Sequence, residues 1–145
     1  MTDIRQLTEL LHSGNYSCVI ANGNETRTFS QRGVADLYDL LHNEPHFLRG
    51  ATVADKVVGK GAAALMAMGG VARLHADVLS QPARELLLQE GVETSWDVLV
   101  PNIINRTGTD CCPLEKATRE AHTLSDMRPI IENFVNNLRR QAANN

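Results

Sequence analysis

The sequence has little lysine, few aromatic residues and three cysteines in no recognisable spacing. Of its fourteen basic residues only Lys56, Lys60 and Lys116 are lysines, and charges of both signs are scattered to a net −3. No basic stripe marks a nucleic-acid polymer as a partner. Aromatics are 4% of the chain, too few to build base-stacking platforms. Cys18, Cys111 and Cys112 are odd in number and lack CxxC spacing, which excludes a disulfide framework and a zinc knuckle and leaves reduced thiols. No run of about 18 apolar residues occurs. Acidic and polar residues stand where a signal peptide would carry a basic start and an apolar block, so a cytoplasmic protein with no membrane partner is expected.

What is present is enough for one domain: 145 residues can bury a core without disulfides or metal. The most organised stretch, Asp55 to Gly70, reads as a helix feeding a strand at Leu74–Leu79. At about 100° per residue, Val57, Val58, Gly61, Ala62, Leu65 and Met68 fall on one side. Lys56, Gly59, Lys60, Ala63 and Ala67 fall on the other. In this reading Thr52 is the N-cap and Asp55 takes the capping-box position, while the two lysines sit one turn apart among alanine and glycine.

The flanking elements follow from local signals. Ile4, Leu7, Leu10 and Leu11 are spaced for a helix capped by Thr2 or Asp3 and ended by Gly14. Tyr16–Ala21, the turn residues Asn22-Gly23-Asn24 and Thr26–Ser30 predict a hairpin, closed by Gly33. Val34, Leu37, Tyr38, Leu40 and Leu41 predict a helix that Pro45 breaks. Ser80 or Gln81 caps a helix with Pro82 in its first turn. Trp96–Ile104 is a strand or a helix broken by Pro101, a helix begins at Pro113, and the last periodic run is Met127–Leu138 behind Ser125 and Asp126. This order predicts a sheet with an antiparallel hairpin and at least one parallel crossover, covered by helices on both faces: an α/β/α three-layer sandwich with a mixed sheet.

Three ordered motifs carry a resemblance that spans nearly the whole chain. Asp55-Lys56-Val57-Val58-Gly59-Lys60, then Val78-Leu79-Ser80 with Pro82, then Ile104-Asn105-Arg106-Thr107-Gly108-Thr109 ahead of Cys112-Pro113-Leu114-Glu115, resemble a small bacterial family of unknown function. That family lies within the cytidine-deaminase-like superfamily, which implies the same sandwich. The superfamily's zinc enzymes place a His or Cys two residues before a catalytic Glu on one helix and Pro-Cys-x-x-Cys at the next helix start. By order of elements these motifs would fall near Ala54-Asp55-Lys56 and at Pro82-Ala83-Arg84-Glu85. Neither matches, so no zinc or other cofactor is expected and the fold is inherited without that chemistry.

The candidate ligand-binding residues are Lys56, Lys60, Asn105, Arg106 and Thr109. The lysines, near a helix start, suit a phosphate or carboxylate, or they pair with Asp55 or acids elsewhere. The loop side chains bind a polar ligand or only brace a turn. Cys112, immediately before a helix where the terminal field favours thiolate, is the best nucleophile; Glu115 and Asp55 are its candidate proton carriers, and Glu115 is equally a cap. His75 and Asp77 share one strand face, but two ligands without a third do not make a metal site. The leading reading is a non-zinc protein binding a small anionic or nucleotide-like ligand. The alternatives are a zinc-independent enzyme using Cys112 or Lys56, and a non-catalytic homodimeric module.

Overall fold

The computed structural model describes residues 3–31, 34–103 and 113–144. Its elements run α1 (Ile4–Ser13), β1 (Cys18–Asn22), β2 (Glu25–Phe29), α2 (Ala35–Asn43), α3 (Pro45–Leu48), β3 (Thr52–Val58), α4 (Lys60–Gly69), β4 (Arg73–Ser80), α5 (Gln81–Gln89), β5 (Glu93–Val100), α6 (Pro113–Ala117) and α7 (Leu124–Asn144). The five strands form one mixed sheet in the order β2-β1-β3-β4-β5. β1 is antiparallel to β2 and to β3, whereas β3, β4 and β5 are parallel.

Local chemistry explains most boundaries. Asp3 caps α1 in a capping box with Gln6. Gly23, at φ 60, takes the left-handed turn position between β1 and β2 that a side chain resists. The Ser80 hydroxyl accepts from Ala83 N at 3.2 Å and starts α5. Arg27 on β2 forks onto Glu44 at 2.8 and 3.0 Å, with its guanidinium 4.0 Å above the Phe47 ring, fastening the hairpin to α3. The apolar run beginning at Trp96 belongs to a strand, β5, that starts three residues earlier at Glu93. α7 likewise opens before Met127: the Thr123 hydroxyl accepts from Asp126 N at 3.1 Å.

The central stretch departs from the helix expected over Asp55–Gly70. Thr52–Val58 is β3, and the helix starts only at Lys60. Thr52 is therefore no N-cap and Asp55 no capping-box residue. Val53, Val57 and Val58 are β-branched and favour a strand when a sheet flanks them, and here β1 and β4 pair with β3 on either side. Gly59, in extended conformation, makes the turn into α4.

The sheet separates two apolar clusters. Ile20, Val53, Leu74, Ala76 and Leu79 pack with helical residues including Leu65, Met66, Leu87 and Ile131 in the larger one. The alternate positions Val19, Ala21 and Ala54 pack with Leu7 and Leu11 of α1 in the smaller, as period-two side-chain alternation requires. α4 lies close to its neighbours because two of its positions lack side chains. A Cβ on Gly61 would collide with Leu114 Cδ2, and one on Gly69 would come 2.7 Å from Leu48 Cβ and Cδ1. Gly69→Ala gains about 1 kcal/mol of helix propensity, but overpacking a filled core costs about 1–3 kcal/mol. A net loss of about 1 kcal/mol in urea denaturation is expected; an unchanged midpoint would mean that Leu48 moves aside freely.

Candidate functional site

Of the predicted site residues that are described, Asp55 and Lys56 lie on β3, Lys60 opens α4 and Glu115 lies on α6. Asp55 is buried on β3, directly opposite Cys18 of β1. It accepts from Val57 N at 3.2 Å and interacts with the Cys18 thiol. Burial pushes its carboxyl up to about 7, against the opposing pull of the Val57 amide, the Cys18 thiol and the Lys56 amide. The same burial raises the Cys18 thiol, with Asp55 adding to the effect. Lys56 donates to Asn15 Oδ1 at 2.8 Å, just past the end of α1. Lys60 is buried and donates to Ala121 O at 2.6 Å and Arg119 O at 3.5 Å, closing the connection between α6 and α7. Its ammonium is depressed by burial, while Glu115, Glu85 and Glu120 pull the other way. The two lysines thus belong to different elements and make separate contacts, not the paired face expected of one helix.

Glu115, on α6, reaches with its side chain to the start of α4. It is 3% exposed, Oε2 accepts from Ile103 N at 2.7 Å, and the same oxygen would sit 3.1 Å from a Cβ on Gly59. Its Oε1 is buried with no hydrogen-bond partner among the described residues. Asn105, Arg106, Thr109 and Cys112 lie outside the described residues. Of the two positions assigned to zinc motifs, Ala54-Asp55-Lys56 is on a strand, which a helix-borne motif cannot use, whereas Pro82-Ala83-Arg84-Glu85 does open α5.

A different group of side chains converges where α1 meets β4 and β5. His75 and Asp77 project from β4, and Ser95 and Asp97 occupy the matching positions on β5. His75 Nδ1 is 2.8 Å from Ser95 Oγ, and its Nε2 is 3.3 Å from Asp97 Oδ1. Asp77 Oδ2 is 2.7 Å from His12 Nε2 in the last turn of α1. Asp77 Oδ1 is buried and has no hydrogen-bond partner among the described residues. One ligand atom from each of His75, Asp77 and Asp97 lies within 4.8 Å of the others. Asp97 and His12 are half-exposed, at 59% and 50% of their side chains, so the cluster opens to solvent on that side.

This arrangement has the chemistry of a cation site. In the tautomer that donates Nδ1–H to Ser95 Oγ, Nε2 would carry the lone pair that a metal needs. Two carboxylates beside it repel each other unless a cation or proton intervenes. Mixed imidazole and carboxylate donors suit Zn²⁺, Mn²⁺ or Fe²⁺ better than Ca²⁺, which takes six to eight oxygens. The third ligand missing from the sequence reading is Asp97, one strand away from Asp77. Its signal was present as the parallel patterns His75-x-Asp77 and Ser95-x-Asp97, legible once residues 93–100 are read as a strand. Nothing local to His12 marks it.

The molecule is therefore a mixed α/β protein with seven helices and a five-stranded sheet among the described residues, carrying an imidazole and carboxylate cluster beside its N-terminal helix. The model of the TM1506 family, a domain of unknown function (DUF1893), matches residues 6–135, and the chain belongs to that family. The 2.70 Å crystal structure of the DUF1893 family protein TM1506 from Thermotoga maritima is similar, with a TM-score of 0.82 and 25% sequence identity over 90% of this chain and 88% of that one. No curated protein matches the chain by sequence.

Proposed function

We propose that the protein binds a divalent transition-metal ion between α1, β4 and β5, through His75 Nε2, Asp77 Oδ1 and Asp97, with His12 bracing Asp77 through its other carboxylate oxygen. The observation that carries this reading is the buried, unpartnered Asp77 Oδ1 beside His75 and Asp97. A carboxylate oxygen removed from water without a donor is costly, and an ion supplies what is missing. The separation of up to 4.8 Å lets the ligands close in on the ion, with exposed Asp97 the freest to move. The metal-stripped protein should take up one Zn²⁺ or Mn²⁺ per chain in equilibrium dialysis. At free metal about 100 times Kd its stability should rise by about 2.7 kcal/mol. Both effects should vanish in His75→Ala and in Asp77→Asn, with far-UV circular dichroism unchanged. Wild-type stoichiometry in the two variants would sink the reading.

The fold is read with it as a three-layer α/β/α sandwich of the cytidine-deaminase-like kind. Support comes from the parallel run β3-α4-β4-α5-β5 beside an antiparallel hairpin, and from α1 packing apart from the main cluster. The ion proposed here would then be held on strands, away from the helix starts that carry zinc in that superfamily. A second reading, a small-ligand site at the α4–α6 junction, is favoured by the unpartnered Glu115 Oε1. A buried carboxylate there calls for a ligand that donates N–H or O–H. An anion held jointly by Lys56 and Lys60 has no support in this geometry. Glu115→Gln would discriminate, since the amide presents donors where the carboxylate only accepts, and stabilisation of the protein by nucleosides should be lost in it.

A further inference from the structure

An open depression of about 420 Å³ adjoins the His and Asp cluster, lined by Ile4, Arg5, Thr8, Glu9, His12 and His75. Arg5 is three and four residues before Thr8 and Glu9, which are four and three before His12, so the four form a single stripe along α1. Leu7 and Leu11 point instead into the smaller apolar cluster. His75 belongs both to the depression and to the cation cluster, and His12, which also lines the depression, contacts Asp77, so the two adjoin directly. The side chains of Arg5 and Glu9 have no ion-pair partner among the described residues. Thr8 Oγ1 is committed as a donor to Ile4 O at 2.9 Å and can still accept.

We infer that this depression binds a small oxyanion that carries a hydroxyl group, one anionic oxygen completing the metal's coordination while Arg5 holds the anion and Glu9 accepts from the hydroxyl. The inference rests on the metal reading above. Asp77 and Asp97 neutralise a divalent ion, so an added anion needs a further positive charge, which Arg5 supplies with a fork suited to carboxylate or phosphate. Glu9, one turn along, repels a bare anion. It becomes favourable only if the ligand brings a donor, which is why the hydroxyl is part of the assignment. Two ligand types share this chemistry, 2-hydroxycarboxylates and phosphate monoesters of polyols.

The test uses the full chain loaded with Co²⁺, whose visible spectrum reports its ligands. Cobalt stoichiometry is measured first; then malate and glycerol 3-phosphate are titrated, with succinate and propyl phosphate as counterparts lacking the alcohol hydroxyl. One hydroxylated anion should alter the cobalt spectrum and bind more tightly than its counterpart, and whichever series does so identifies the source. Arg5→Ala should bind Co²⁺ as the parent does yet weaken the anion by about tenfold, the scale of one charge-assisted pair. Glu9→Gln should erase the preference for the hydroxylated partner. If Co²⁺ binds but neither anion series changes its spectrum, or Arg5→Ala binds the anion equally well, the inference falls and the metal site stands. If Co²⁺ itself fails to bind, the metal reading and this inference fall together.

Discussion

Acidifying the protein from pH 8 to pH 5 should stabilise it through Asp55 by about 3 kcal/mol, part of a total near 4 kcal/mol. The carboxyl is pushed from its ordinary 3.8 up to about 7 in the folded chain, chiefly by burial. Between these two values the native state holds a proton that the unfolded chain has released, so stability falls as pH rises. The contribution is fully present below the unfolded value and is lost as pH climbs through the folded one. The Val57 amide and Cys18 thiol favour the charged form but do not overcome desolvation. Asp55→Asn keeps the shape and the acceptor for Val57 N without the ionisation. Its urea stability should therefore vary less between pH 5 and pH 8, by about the same 3 kcal/mol, and should exceed that of the parent at pH 8. Parallel pH profiles for parent and variant would show that the carboxyl ionises normally in place.

Lys60→Ala should destabilise the protein by about 3 kcal/mol, the sum of a lost charged hydrogen bond and an orphaned buried acceptor. The Lys60 ammonium is what satisfies Ala121 O and, more distantly, Arg119 O. Burial depresses its pKa, so part of the gain is offset by desolvation, but removing the donor leaves the carbonyls without one. Lys60→Met restores most of the volume and not the donors, and should fall between parent and alanine variant. An exposed lysine reserved for a ligand would change stability by no more than about 0.5 kcal/mol when truncated. Urea titration of the three proteins without ligand separates the two roles. A near-neutral alanine variant would return Lys60 to the list of ligand contacts.

Elements marked by local chemistry were legible in the sequence: Asp3 ahead of α1, the Asn22-Gly23 turn, Ser80 and Pro82 at the start of α5. The central stretch was not, because its apolar residues satisfy two patterns at once. Val53, Val57 and Val58 suit a strand, yet Val57-Val58 joined to Ala62 and Leu65 across Gly59 also fits helical spacing. Only the flanking strands β1 and β4 decide for the strand, and they lie elsewhere in the chain. The cation cluster was half visible for the same reason. His75 and Asp77 are two residues apart, but Asp97 and His12 reach them through strand pairing and helix docking. Lys56 and Lys60 do not share a helix face because the first half of the expected helix is strand β3.

The separate seating of α1 has a consequence for how the molecule opens. The cluster beneath it comprises five buried residues, Leu7, Leu11, Val19, Ala21 and Ala54, apart from the main core. A helix held by so small a set of contacts is a natural unit of sub-global opening, able to lift while the sheet and the remaining helices stay folded. The His12–Asp77 contact bridges 65 positions of sequence across that seam. An ion held at Asp77 would therefore add to the contacts that keep α1 seated, and the N-terminal helix would report on occupancy at a site built mostly by strands.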